Sequence, residues 1–254
     1  MSTTVIPAHR SATRPAAARR DARVAAAVAA WLALGLALDV GAGPARQLAV
    51  GAATWLLLLV CLRGEGRVVR AQVTVAVALA TAAEYVLSPT LGFYAYRLGN
   101  VPSFVPPGHG LVYLAALALG RREGAGGRRP AAATVTLALG GLWALWGATL
   151  AARPDALGLV LYLVFAGFVL AGRAPLVYAA AFAVTAGLEL LGTALGTWTW
   201  APHDPTGQLT AGNPPSGIPG VYCLLDAMAL AGGPAALRLA GRLGRVRGSM
   251  SATR

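Results

Sequence analysis

Residues 84–113 read EYVLSPTLGFYAYRLGNVPSFVPPGHGLVY, and residues 189–222 read ELLGTALGTWTWAPHDPTGQLTAGNPPSGIPGVY. Each stretch starts with a carboxylate inside an apolar run, passes through a Gly/Pro-rich loop and re-enters an apolar run. Leu91-Gly92-Phe93-Tyr94-Ala95-Tyr96 answers Leu195-Gly196-Thr197-Trp198-Thr199-Trp200. Gly99-Asn100-Val101-Pro102-Ser103 answers Gly212-Asn213-Pro214-Pro215-Ser216. Val105-Pro106 answers Ile218-Pro219, and Val112-Tyr113 answers Val221-Tyr222. An ordered series of this kind marks a tandem duplication.

Long uninterrupted apolar runs flank both stretches. Of the 254 residues, 57% are hydrophobic and only 12% charged, with a mean hydropathy of +0.63. Soluble domains carry about 25% charged residues and show polar stripes at helical period. Neither feature is present, so the runs are expected to be membrane-spanning helices. They cover about 23–40, 47–62, 71–87, 108–119, 131–151, 156–171, 175–191 and 217–239. The fourth is short for a span, so its helix is expected to start within the preceding loop or to be shielded by neighbours. The expected fold is all-α: a polytopic membrane bundle of eight spans, built as two parallel four-helix repeats over 23–120 and 131–240. Residues 1–22 are read as a disordered basic tail, 121–130 as a linker and 241–254 as a basic tail.

Every basic residue is Arg, and the formal charge is +12. The arginines lie between apolar runs rather than along one face, which speaks for topology signals and not for nucleic acid. With the N-terminus inside, eighteen of them fall in inner segments, and only Arg46, Arg97 and Arg153 fall outside. The positive-inside rule then sets both termini in the cytoplasm and both Gly/Pro loops on the extracytoplasmic side of a cell membrane. Cys61 and Cys223 sit in apolar runs and read as small buried residues.

An ionised group at a helix centre costs about 2.5–3.5 kcal/mol on insertion scales, so carboxylates in the spans are the first candidates for chemistry. Asp39 ends the first run beside a Gly-rich turn and reads as a solvated helix end. Glu84 lies fourteen residues beyond Arg70, roughly 20 Å of helical rise, and Glu189 reaches a similar depth beyond Arg173. Asp226 lies about nine residues into the last run, opposite Leu117 in the pairing above. Desolvation favours the neutral acid at such depth, making Asp226 a candidate proton donor, with Glu84 and Glu189 as partners. The competing reading of each Glu is a buried group that pins its own loop. His109 is a proton-relay or contact candidate. Tyr94, Tyr96, Trp198 and Trp200 form an aromatic belt or a π-rich lining for a polyene or carbocation. Tyr113 and Tyr222 follow on the re-entering helices, and Asn100 and Asn213 suit Asx turns or polar substrate contacts. His109 and His203 lie on separate loops without metal-ligand spacing, so neither a metal nor another cofactor is expected.

The stretch from Glu189 to Asp226 resembles the carotenoid-biosynthesis integral-membrane family that includes bisanhydrobacterioruberin hydratase. The resemblance rests on Glu189, Gly192, Gly196, Trp198, Trp200, Gly212, Pro214 and Pro219. It implies a cofactor-free membrane enzyme acting on a hydrophobic isoprenoid: Asp226 or a Glu protonates a C=C bond, aromatics shelter the cation, and water or an internal alkene captures it. Two other classes fit the same residues. A small transporter or lipid-handling protein would need a water path to both faces. A non-catalytic scaffold would show carboxylates satisfied by loop amides and no cavity.

Overall fold

The computed structural model describes residues 14–125 and 129–251. The elements in chain order are α1 (Arg14–Asp39), α2 (Pro44–Arg63), α3 (Arg67–Tyr85), β1 (Tyr94–Tyr96), α4 (Val105–Ala125), α5 (Arg129–Thr149), α6 (Ala156–Ala171), α7 (Pro175–Ala194), β2 (Trp198–Trp200) and α8 (Pro219–Ser251). Pro44 and Pro175 open their helices, where the missing N–H is not needed. After α3 the chain makes one wide π turn, Val86–Thr90, around Pro89, which has no N–H to give to the helix ladder.

Six helical stretches are long and apolar enough to cross a membrane: Pro15–Asp39, Pro44–Arg63, Arg67–Thr90, Ala131–Thr149, Pro175–Ala194 and Pro219–Leu243. Two of the expected spans are not among them. α6 is apolar but only 16 residues long. α4 starts at Val105, inside the predicted loop, and carries Pro106, Pro107, Gly108 and His109 in its first turns. Its segment from Leu111 to Ala118 is buried on every side, packed against α1, α2, α3 and α7. A helix enclosed by protein needs no lipid-compatible surface, which is why its sequence does not look like a span. α5 is the opposite case: Val135, Leu139, Leu142, Leu145 and Trp146 are exposed, as a lipid-facing helix requires.

α3, α4, α7 and α8 form the centre, with α3 packed on α8 and α4 on α7. β1 and β2 pair antiparallel across one end of this centre, with Tyr94 opposite Trp200, Ala95 opposite Thr199 and Tyr96 opposite Trp198. Distance from this ladder measures depth in the bundle. The approach of α8 to α6 depends on small residues: a Cβ on Gly217 would meet the backbone of Gly158 and Tyr162, and one on Gly220 would meet Leu161 and Phe165. Close backbone contact is how helices hold together where no hydrophobic force separates them from lipid. Gly217→Ala is therefore expected to lower stability by about 1–3 kcal/mol, read as a drop in the thermal unfolding midpoint of the purified protein in detergent.

The segment expected to be a disordered tail is helical from Arg14, with residues 1–13 outside the described residues. Ion pairing explains the order. At the end of the bundle away from the ladder, Arg20 donates to Glu65 at 2.7 Å and to the Cys61 carbonyl at 3.2 Å. Arg121 reaches both oxygens of Glu65, at 3.2 and 3.3 Å, and lies 3.4 Å from Asp21. The expected linker is likewise helical up to Ala125 and again from Arg129, with 126–128 outside the described residues. The expected C-terminal tail continues α8 to Ser251, with 252–254 outside them.

Burial pushes the Glu65 carboxyl up, but the Arg121 and Arg20 guanidiniums outweigh it and hold it below the usual value of 4.5. A group depressed in the folded state contributes stability in full above its unfolded value and loses it as pH falls through the folded one. The unfolding midpoint is therefore expected to drop on acidification below pH 4.5. Glu65→Gln should flatten that part of the pH dependence.

Candidate functional site

Alternation along the two strands builds the site. Tyr94 and Tyr96 point inward while Ala95 faces out, and Trp198 and Trp200 point inward while Thr199 faces out, the period of two that a strand imposes. The ladder thus delivers four aromatic side chains onto the ends of α3 and α7, where the two glutamates wait. Tyr94 and Tyr96 donate to Glu84 Oε2 at 2.6 and 2.7 Å, and His109 Nε2 lies 2.8 Å from Glu84 Oε1. Trp198 and Trp200 donate through their indole N–H groups to Glu189 Oε2 at 2.9 and 3.1 Å. Glu189 Oε1 has no hydrogen-bond partner among the described residues.

Glycine makes the second cluster possible. A Cβ on Gly192, one turn beyond Glu189 on α7, would strike the Trp198 ring. The rings interlock across the ladder: Tyr94 and Trp200 centroids are 4.6 Å apart, and Tyr96 and Trp198 6.1 Å. His109 stacks on Tyr222 at 5.3 Å with 21° between the planes. Burial first, and the Glu84 carboxylate second, raise the Tyr94 and Tyr96 phenols far above their ordinary value. Both therefore stay neutral donors to Glu84.

A cavity of about 120 Å³ opens beneath the ladder. Its polar wall is Glu84, Glu189, His109 and Tyr222, with the four ladder aromatics above. Trp31, Leu36, Val50, Phe104, Leu188 and Ile218 supply much of its apolar wall. α1, α2, α3, α4, α7 and α8 contribute, whereas α5 and α6 contribute no lining residue.

Eight of the sequence candidates meet on this cavity: Glu84, Glu189, His109, Tyr94, Tyr96, Trp198, Trp200 and Tyr222. Asp226 and Tyr113 are buried but do not line it. Each sits four residues deeper on its helix than a lining residue, Tyr222 and His109 respectively. Asn100 and Asn213 hold loops by contacts more distant than an Asx turn. Asn100 donates to Gln47 at 2.8 Å, and Asn213 accepts the Trp200 backbone N–H at 2.9 Å. Asp39 is not a solvated helix end. It is buried, accepts from Gln47 at 3.0 Å and faces Arg97 at 3.4 Å. His203 lies in the second loop, bridged to Thr210. Among the described residues, no three His, Cys, Asp or Glu side chains converge as a metal site.

Sequence reasoning missed Asp155, which organises the second loop. It is buried; Oδ1 accepts from the N–H groups of Gly158 and Gly212 at 3.0 and 2.8 Å, and Oδ2 accepts from the Ser216 N–H and hydroxyl at 2.6 and 2.7 Å. Arg153 beside it donates to the carbonyls of Trp200, Ala201 and Ala211. An Asp immediately before an apolar run is a helix N-cap signal, and that signal was available at Asp155. No protein-family model, curated protein or solved structure matches the chain.

Proposed function

We propose that the chain is an integral-membrane enzyme that protonates a C=C bond of a hydrophobic isoprenoid of the carotenoid type, leading to hydration or cyclisation, with Glu189 as the acid. The observation that carries this reading is the unequal bonding of two carboxyls on one aromatic-walled cavity. Glu84 has a partner on each oxygen, two of them tyrosine hydroxyls. Glu189 takes two indole N–H groups, which only donate, on one oxygen, and its other oxygen is free to hold and give up a proton. The faces of the four ladder aromatics suit a transient carbocation, and His109 on Glu84 suits the return of a proton from the capturing water. Asp226 lies off the cavity wall, so the acid is assigned to Glu189.

The same reading takes the two halves as parallel repeats. Its support is the ladder, which maps onto itself about the Ala95–Thr199 pair. It also shifts the pairing of the re-entering helices by one turn. With Val105 matched to Ile218, His109 corresponds to Tyr222, its stacking partner, and Tyr113 corresponds to Asp226. We take α4 as crossing inside the bundle and the 16-residue α6 as crossing at its lipid-facing side, which gives eight spans. The arginine census then assigns the ladder to the extracytoplasmic side and both termini to the cytoplasm. A transporter would need a path open to both faces, and the cavity lies at the ladder end of the bundle. A scaffold would need no cavity.

The test is a comparison of lipid and pigment profiles in an isoprenoid-producing host with and without the chain. A new or depleted isoprenoid species that depends on Glu189 supports the reading. Identical profiles remove it.

A further inference from the structure

Four residues below the cavity wall, three helices each carry a polar group. His109 is followed by Tyr113 on α4, Tyr222 by Asp226 on α8, and Glu189 is preceded by Thr185 on α7, which runs the other way. A spacing of four keeps each pair on one helix face, so the three form a second layer about 6 Å deeper. The Tyr113 hydroxyl, Thr185 Oγ1 and Asp226 Oδ2 are all buried without a hydrogen-bond partner. Buried polar groups rarely stay unpaired, and ordered water is the usual partner where several converge.

The layer is linked both ways. Above it, the Tyr222 phenol lies on the cavity wall and within electrostatic reach of Glu84, Glu189 and Asp226. Below it, α8 meets α3 where Gly233 presses on Gln72, whose two amide atoms are also buried without partners. The titratable groups within electrostatic reach of Asp226 are Tyr113 on α4, Tyr178 on α7, and Tyr222 and Cys223 on its own helix. Neither α3 nor α6 presents a charge to it.

We propose that Tyr113, Thr185 and Asp226 enclose ordered water and that this layer exchanges protons with Glu189 through Tyr222. In the forward step the Asp226 carboxyl releases its proton to the water. The water, by way of the Tyr222 hydroxyl, gives one to the Glu189 carboxylate. Asp226 is left as the anion and Glu189 as the acid, with charge conserved. The cycle closes when the proton released by the water that captures the substrate cation passes back through Tyr222 and the ordered water to the Asp226 carboxylate. Asp226 is thus a positioning and proton-storing residue that touches no substrate. Its use as a store rests on the acid-catalysis reading, but the hydrated layer and the proton exchange do not.

The test needs no substrate. Infrared spectra of the purified protein are recorded in H₂O and after transfer to D₂O, following the carbonyl stretch of protonated carboxylic acids. Asp226→Asn and Glu189→Gln should each delete one band, and both bands should shift promptly in D₂O in the unsubstituted protein. The Glu189 band should exchange severalfold more slowly in Asp226→Asn and in Tyr222→Phe, which keeps the ring on His109. Thr185→Val and Tyr113→Phe should slow exchange of the Asp226 band and leave the unfolding midpoint unchanged or lower. Bands that are missing or do not exchange would overturn the proposal. So would Glu189 exchange indifferent to Asp226 and Tyr222. Apolar replacements that raise the midpoint and leave exchange unaltered would mean the layer is dry, and would overturn it too.

Discussion

Glu189→Gln is expected to reduce product formation by about 10²–10⁴-fold, the range a positioned acid supplies, while the protein stays folded in the membrane. The geometry separates the two effects. A glutamine keeps a carbonyl oxygen where Glu189 Oε2 accepts from Trp198 and Trp200, so the ladder remains anchored. It has no acidic proton to give from the other position. Glu84→Gln tests the division of labour. Its carbonyl still accepts from Tyr94 and Tyr96, but its amide meets His109 Nε2, so the imidazole must turn from donor to acceptor. Activity should fall less than in Glu189→Gln, with its pH dependence altered. Product per unit of membrane-embedded protein checks both variants. Equal activity of Glu189→Gln and the unsubstituted chain would refute the assignment of the acid.

Asp155→Ala, at a residue that does not itself line the cavity, is expected to destabilise the protein by about 4 kcal/mol. The carboxylate accepts four hydrogen bonds in a buried position. Removing an acceptor strands its donors, at about 1–3 kcal/mol for each buried group left unpaired, partly offset where water enters. Gly212 and Ser216 flank the segment that carries Asn213, and Asn213 holds the Trp200 backbone. Loosening this loop should therefore also disturb β2 and the indoles on Glu189. Asp155→Asn keeps the shape and one acceptor oxygen, and should cost clearly less. Unfolding midpoints in detergent check the order Ala below Asn below Asp. Tryptophan fluorescence checks whether Trp198 and Trp200 become wetter.

Much of the fold is legible because hydrophobicity is carried by each residue locally. The apolar runs mark six helices that can cross a membrane, and the Pro and Gly punctuation marks where they stop. The fourth run was legible only as short, with a helix that starts in the loop or is shielded by neighbours; in the structure its surroundings are protein, and Pro106-Pro107-Gly108-His109 belong to the helix rather than to the loop. The candidate site was half legible. Glu84, Glu189, His109, Tyr222 and the alternating aromatics stand out because a charge in an apolar run is costly and a strand alternates. Asp226 stood out for the same reason, yet depth along a helix does not say which way the helix faces.

The chain alone determined that it partitions into a bilayer, that two similar Glu-to-Tyr stretches recur, and that a glutamate sits near the end of the third and the seventh apolar run. Those are properties of composition and spacing. Only the tertiary structure decided that tyrosines serve Glu84, that indoles serve Glu189 while leaving one oxygen bare, and that Asp155 anchors the second loop. Hydrogen-bond partners are chosen by distances of a few ångströms between segments up to 61 residues apart, and no local pattern encodes such distances.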